Sequence, residues 1–197
     1  MEAWQEWGYA VIQAVQTYQT PAATLLFKAL SFMGEEEFYL LFMPLLYWLA
    51  DKRVALRFTI LFLFSTYLNT FLKEVAAQPR PSAERVTVLL DDPGGGGIPS
   101  GHSQNAVVSW GFTAFQRPMP WFRWAMLTLI LGISLSRIYL GVHFPHDVLG
   151  GWLVGGALLL AYVALAPSVT AWLERQTVPV QMAAGGAVTL LLAMLYT

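Results

Sequence analysis

The stretch WFRWAMLTLILGISLSRIYLGVHFPHDVLGGWLVGGALLLAYVALA, residues 121–166, decides the fold. It holds two apolar runs, Trp121 to Val142 and Asp147 to Ala166, each near the ~20 residues that a helix needs to cross the hydrocarbon core of a bilayer. The link between them carries His143, His146 and Asp147, and Arg137 lies in the last turns of the first run. Ionisable groups at such a place need a reason, because burying one without a partner costs several kcal/mol.

The rest of the chain supports a membrane protein. Of its 197 residues 56% are hydrophobic and only 12% charged, against about a quarter charged in soluble domains, and the mean hydropathy is +0.53. Eight Trp, eight Tyr and twelve Phe suit the two bilayer interfaces, where aromatic rings collect. A net charge of −1 gives no reason to expect nucleic acid as a partner. The absence of cysteine excludes disulfides, thiolate metal sites and cysteine nucleophiles. Met1 to Thr20 carries Glu2 and Glu6 in place of the basic start of a secretory signal, so it is expected to stay on the protein.

Six crossings are expected: Phe38 to Ala50, Val54 to Ala76, Ser100 to Phe115, Trp121 to Val142, Asp147 to Ala166 and Val178 to Tyr196. The first and third are short for a span. Residues 2 to 19 place Trp4, Trp7, Val11, Ile12 and Val15 near one side of a helix, which reads as lying in the interface or packed on the rest of the protein. The expected architecture is an all-α six-transmembrane helix bundle, one membrane-embedded domain with interfacial helices over 1–33, a core over 34–166 and an additional helix over 178–197. Between the second and third crossings, Gln78 to Pro99 contains three prolines and Gly94 to Gly97. Such a loop cannot sit in lipid. The four glycines lack the Lys-Ser/Thr ending of a phosphate-binding P-loop and read as a hinge or lid.

In a bundle of alternating direction, the end of crossing two, the start of three, the end of four and the start of five share one membrane face. Lys73, Arg80, Ser100, Gly101, His102, Arg137, His143, His146 and Asp147 therefore converge, and they include all three histidines of the chain. Lys73, Arg80 and Arg137 suit a dianion such as phosphate. Ser100 can cap the third helix and leave the N–H groups of Gly101 and His102 facing an anion. His102 and His143 titrate near neutrality, one able to attack phosphorus and the other to protonate a leaving oxygen. Asp147, four residues beyond His143, can hold its ring in one tautomer. Duller roles exist: snorkelling for Lys73 and Arg80, a plain cap for Ser100, a dipole partner for Asp147, a structural or rim position for His146. Asp91 and Asp92 read as turn residues before Pro93, not as a metal pair. Asn69 and Ser65 read as links between helices.

The segments Lys73-Glu-Val-Ala-Ala-Gln-Pro-Arg80-Pro81, Pro99-Ser100-Gly101-His102 and Ser136-Arg137-Ile-Tyr-Leu-Gly-Val-His143-Phe-Pro-His-Asp147 resemble the three-part signature of the type 2 phosphatidic acid phosphatase superfamily, K-x6-R-P, P-S-G-H and S-R-x5-H-x3-D. Every fixed position matches. The resemblance covers roughly residues 35 to 160. It implies a lipid phosphatase without cofactor or metal, working through a phosphohistidine intermediate, with His143 as nucleophile, Asp147 as its orienting partner and His102 as acid and then base. Lys73, Arg80, Ser100, Gly101, His102 and Arg137 would surround the phosphate. Gly34-Glu-Glu-Glu37-Phe-Tyr, with Tyr47-Trp48 and Asp51, loosely resembles the sphingosine-phosphate phosphatase branch.

Lys52, Arg53, Arg57, Arg117, Arg123 and Arg175 lie opposite the site, against Lys28 and Arg85 on its own face. The positive-inside rule then puts the site and both termini on the extracytoplasmic face, and a multi-pass plasma-membrane protein is expected. Candidate substrates are a polyprenyl diphosphate such as undecaprenyl diphosphate, phosphatidic acid, phosphatidylglycerophosphate and a sphingoid-base phosphate. The alternatives are a transporter, a non-catalytic lipid-phosphate binder, and a vanadate-dependent haloperoxidase, whose group shares the pocket but is soluble and larger. Oligomeric state is not legible.

Overall fold

The computed structural model describes residues 2–90 and 95–194, so the readings of Asp91, Asp92, Pro93 and Gly94 and the last residues of the final segment lie outside the described residues. Eight helices follow one another among them: α1 (Glu2–Gln16), α2 (Pro21–Phe32), α3 (Glu36–Leu49), α4 (Lys52–Ala76), α5 (Gly101–Phe115), α6 (Pro120–Tyr139), α7 (Pro145–Glu174) and α8 (Val178–Met194). Their limits follow from local chemistry. Thr20 accepts from the Ala23 N–H to open α2, Asp51 accepts from Arg53 and Val54 to open α4, and Ser100 accepts from Ser103 to open α5. Each uses a side-chain oxygen to satisfy N–H groups that the helix ladder leaves over. Pro120 starts α6 where its missing N–H costs nothing, and Ala77 ends α4 in the left-handed region at φ 45°.

By length and composition three helices are fit to cross a membrane: α4, α6 and α7, of 25, 20 and 30 residues. The expected first, third and sixth crossings become the 14-residue α3, the 15-residue α5 and the 17-residue α8, all shorter than those three. Two limits move: α6 stops at Tyr139 and α7 runs through Pro167 to Glu174. The difference at α5 has a physical reason. Its buried residues include Ser103, Gln104 and Asn105, which face protein and not lipid.

Residues 1–159 form one compact unit and residues 160–197 another. In the first, α5 packs on both α4 and α6, α2 lies on α6 and α3 on α4. Polar links join α4 to α5, as expected of Ser65 and Asn69. The Ser65 hydroxyl donates to Asn105 Oδ1 at 2.7 Å, Gln104 donates to the Ser65 carbonyl at 2.7 Å, and Asn69 donates to Gln104 Oε1 at 2.9 Å and to the Pro99 carbonyl at 3.1 Å. Gly151 lets α7 close on the head of α5, since a Cβ there would lie 2.6 Å from the Ser100 carbonyl oxygen. In the second unit, Gln181 donates to the Leu173 and Gln176 carbonyls and shapes the turn into α8.

For α1 the packed reading is the one that fits. Ile12 is fully buried, and the Tyr9 ring meets Phe144 edge-on at 5.0 Å. Gln13 and Gln16, which composition assigns to water, donate to the carbonyls of Arg85, Thr87 and Tyr139. The polar face of α1 therefore braces the loop that follows Arg80. Trp4 and Trp7 stay exposed, as suits a bilayer interface.

Candidate active site

Sequence spacing places His143 and Asp147 one turn apart, and the structure joins them. His143 Nδ1 lies 3.2 Å from Asp147 Oδ2, and the same oxygen accepts from the Phe144 N–H at 2.9 Å. Loop 140–144 is wrapped on α6, with the Val142 and His143 N–H groups both directed at the Arg137 carbonyl. On the other side of the ring, Arg80 Nη1 stands 3.3 Å from His143 Nε2. A guanidinium has donors only, so Nε2 is the acceptor and the ring proton sits on Nδ1, where the carboxylate receives it. The tautomer that leaves Nε2 with a lone pair is thereby selected.

Both partners are deeply buried, with side chains 2% and 0% exposed. Burial pushes the His143 imidazole well below its ordinary range, and Arg137, Arg80, Lys73 and His102 push it further. His143 is therefore a neutral base at physiological pH. These same four groups are the cations and the second imidazole that the spacing predicts around it.

The other predicted residues occupy supporting places. Lys73, in the last turn of α4, is within electrostatic reach of Arg80, Arg137 and Asp147. Arg137 is buried and donates through Nη1 to Ser31 Oγ, while its Nε has no hydrogen-bond partner among the described residues. A buried donor of that kind is what an incoming anion satisfies. Ser100 caps α5 as expected, and its own N–H donates to the Asp147 carbonyl at 2.9 Å. The cap thus ties the second motif to the third. Gly101 and His102 sit in the first turn of α5, where N–H groups have no helix partner and the dipole favours negative charge. His146 is half-buried, stacked on Phe144 with centroids 5.1 Å apart, and its Nε2 lies 3.5 Å from Asp147 Oδ1.

Two features differ from the expectation. Gly95 to Gly97 do not stand off as a lid: Gly95 accepts from Arg80 Nε, Gly97 donates to the Gln78 carbonyl at 2.7 Å, and a Cβ on Gly97 would lie 3.1 Å from Asp147 Oδ2. The small size of Gly96 and Gly97 lets backbone reach the site. The second is Glu35, which the spacing rules do not single out. Its Oε1 lies 3.6 Å from His102 Nε2. The signal available was a carboxylate next to Gly34 at the head of an apolar helix, which by itself does not name a partner. Beside the site, a cavity of about 330 Å³ opens between Arg80, Pro81, Val88, Gly95, Gly141 and Val142.

A family model described as the PAP2 superfamily matches residues 54–171. The lipid phosphate phosphatase delta of Arabidopsis thaliana is 29% identical over 168 residues, 77% of this chain and 40% of the relative. The sphingosine-1-phosphate phosphatase 2 of Mus musculus is 30% identical over 152 residues, 71% of this chain and 42% of the relative. This chain thus spans about two fifths of the length of these curated relatives. Among solved structures, a transmembrane PAP2-type phosphatidylglycerolphosphate phosphatase from Bacillus subtilis superposes with a TM-score of 0.76 at 23% identity, covering 86% of this chain and 89% of that one. At that identity the likeness speaks for the fold.

Proposed function

The chain belongs to the PAP2 superfamily, and on that premise we propose that it is an integral-membrane phosphatase that removes the terminal phosphate of a lipid phosphate or diphosphate through a phosphohistidine. The observation that carries this reading is the His143 ring, held by Asp147 at Nδ1 and met by Arg80 at Nε2. In the first step the Nε2 lone pair attacks phosphorus and the bond from phosphorus to the lipid oxygen breaks. His102 gives that oxygen its proton, and Asp147 stabilises the charged ring that carries the phosphoryl group. In the second step, now neutral, His102 takes a proton from water, whose oxygen attacks phosphorus as the P–N bond breaks. Inorganic phosphate leaves and both imidazoles are restored.

Lys73, Arg80 and Arg137 meet the phosphoryl oxygens and neutralise their charge, with the Gly101 and His102 N–H groups at the head of α5. Ser100, whose Oγ accepts from Ser103, donates its own O–H. Three fixed cations do here what a divalent ion does at other phosphoryl-transfer sites. The test is phosphate release in detergent from phosphatidic acid, phosphatidylglycerophosphate, a sphingoid-base phosphate and undecaprenyl diphosphate. Turnover of at least one, unchanged by EDTA and abolished in His143→Ala, is expected. Turnover that a chelator stops, or that survives the substitution, refutes the mechanism.

We read α3 to α8 as six crossings of one membrane-embedded domain, with the site on the extracytoplasmic side, on the strength of the six basic residues opposite it. The chain has no cysteine, so single cysteines placed at Ala83 and at Arg117 report sidedness directly. An impermeant maleimide added to intact cells labels the first and spares the second.

A further inference from the structure

His102 has a partner that no motif names. Glu35 stands at the N-cap of α3, yet its side chain makes no capping hydrogen bond, although an acceptor at that position ordinarily takes an N–H of the first turn. It is directed instead at His102 Nε2, 3.6 Å away and without a hydrogen-bond partner among the described residues. The turn that presents it is tightly placed. Gly34 and Glu35 bond back to Ser31 and Phe32, and Gly34 lies so close to the imidazole that a Cβ would fall 2.8 Å from its Cδ2. Ser31 in turn receives Arg137.

A carboxylate at the rim of an anion site opposes binding by repulsion, so a filler of this charge is the wrong choice unless the charge is used. We infer that Glu35 is a positioning residue for His102: its carboxylate faces Nε2 as an ion-pair partner, turns Nδ1 to the reacting oxygen and stabilises the imidazolium that delivers the proton to the lipid. The inference rests on the proposed phosphatase reaction. It gives the site two carboxylate–imidazole pairs, Asp147–His143 for the nucleophile and Glu35–His102 for the acid. The charged groups facing His102 are Glu35 before α3, Arg137 on α6, Lys73 on α4 and His143 in the loop before α7. All except Glu35 are basic, so Glu35 alone favours the protonated ring. His102, with Arg137 and Ser31 behind it, holds the Glu35 carboxyl below the usual carboxylate range against partial burial. The carboxylate is therefore ionised throughout the neutral range.

The test compares wild type, Glu35→Gln and Glu35→Asp in the full chain, on whichever of phosphatidic acid, phosphatidylglycerophosphate, a sphingoid-base phosphate and undecaprenyl diphosphate the wild type turns over, across a pH series with EDTA present. Glu35→Gln is expected to lower kcat about ten- to a hundredfold with KM unchanged or reduced. The descending limb of its pH profile should move to lower pH by about one unit, because the ring loses its proton more readily without the carboxylate. Glu35→Asp should recover part of both effects. Full activity in Glu35→Gln, or a loss with the limb in its wild-type place and KM raised, overturns the inference and leaves the phosphatase reading intact. A wild type that releases no phosphate from any of the four lipids overturns that reading, and this inference with it.

Discussion

The two imidazoles of the site are held by carboxylates in contrasting ways. Asp147 follows His143 by one helical turn, both side chains are sealed at 0% and 2% exposure, and 3.2 Å separates them. Glu35 precedes His102 by 67 residues, the side chains are 36% and 19% exposed, and 3.6 Å separates them. The first pair is rigid because its geometry is set by one loop and the helix it opens, with Phe144 and Ser100 bonded to the same aspartate. The second depends on how the turn after α2 lies against α5. On the proposed mechanism, a nucleophile that must stay aimed at phosphorus suits the former, and an acid that passes a proton between lipid oxygen and water suits the latter.

Breaking the buried pair should have the largest effect. Asp147→Asn keeps the shape and removes the charge that selects the tautomer, and a loss of about 10³- to 10⁴-fold in single-turnover kcat is expected. A loss smaller than that of Glu35→Gln would invert the ranking of the two pairs. Gly34→Ala pushes a methyl group against the His102 ring and the buried Ile133 without touching the buried pair. It should lower kcat about ten- to a hundredfold with a modest fall in melting temperature, and wild-type activity would show that the turn is not pressed on the ring.

A finer measure is the acid limb. Burial and then Arg137, Arg80, Lys73 and His102 hold the His143 imidazole well below its ordinary range, so the wild-type ring stays neutral as pH falls through ~6.5. Arg80→Gln removes one opposing charge. The imidazole then gains a proton at higher pH, and the ascending limb of kcat/KM should move up by about one unit. The smallest effect belongs to a third carboxylate. Glu6 forms a bidentate pair with Arg85 at 2.6 and 2.7 Å, and Arg85 holds its carboxyl below the usual range. This pair is exposed and water screens it. Glu6→Gln should leave kcat and the pH limbs where they are and barely move the melting temperature, which separates carboxylates that serve the site from one that only fastens α1 to the loop.

Much of the site was legible because its parts are local. His143 and Asp147 lie one turn apart, Ser100 stands before a helix, and Lys73 and Arg137 occupy last turns, so the alternating direction of the helices puts them on one face. Glu35 was not legible, since no local rule links a turn glycine and a carboxylate to a ring 67 residues away. The roles of Gln13 and Gln16 were not legible for the same reason. Amphipathicity assigns amides to water, and only the loop folded over α1 provides carbonyls for them. The short α5 read as a doubtful crossing because of its length; what its sequence did not tell is that Ser65, Thr66 and Asn69 of α4 pair with its buried Gln104 and Asn105.

The amino-acid order by itself determined that this is a chain of apolar helices with its histidines and cations at helix ends. Apolar length and helical period are properties of neighbouring residues. Tertiary structure alone decided that Glu35 faces His102, that Arg80 meets Nε2 and that Gly97 lies against Asp147. Those contacts join segments with no common period, and only the packing of α4, α5 and α6 brings them within a few ångströms.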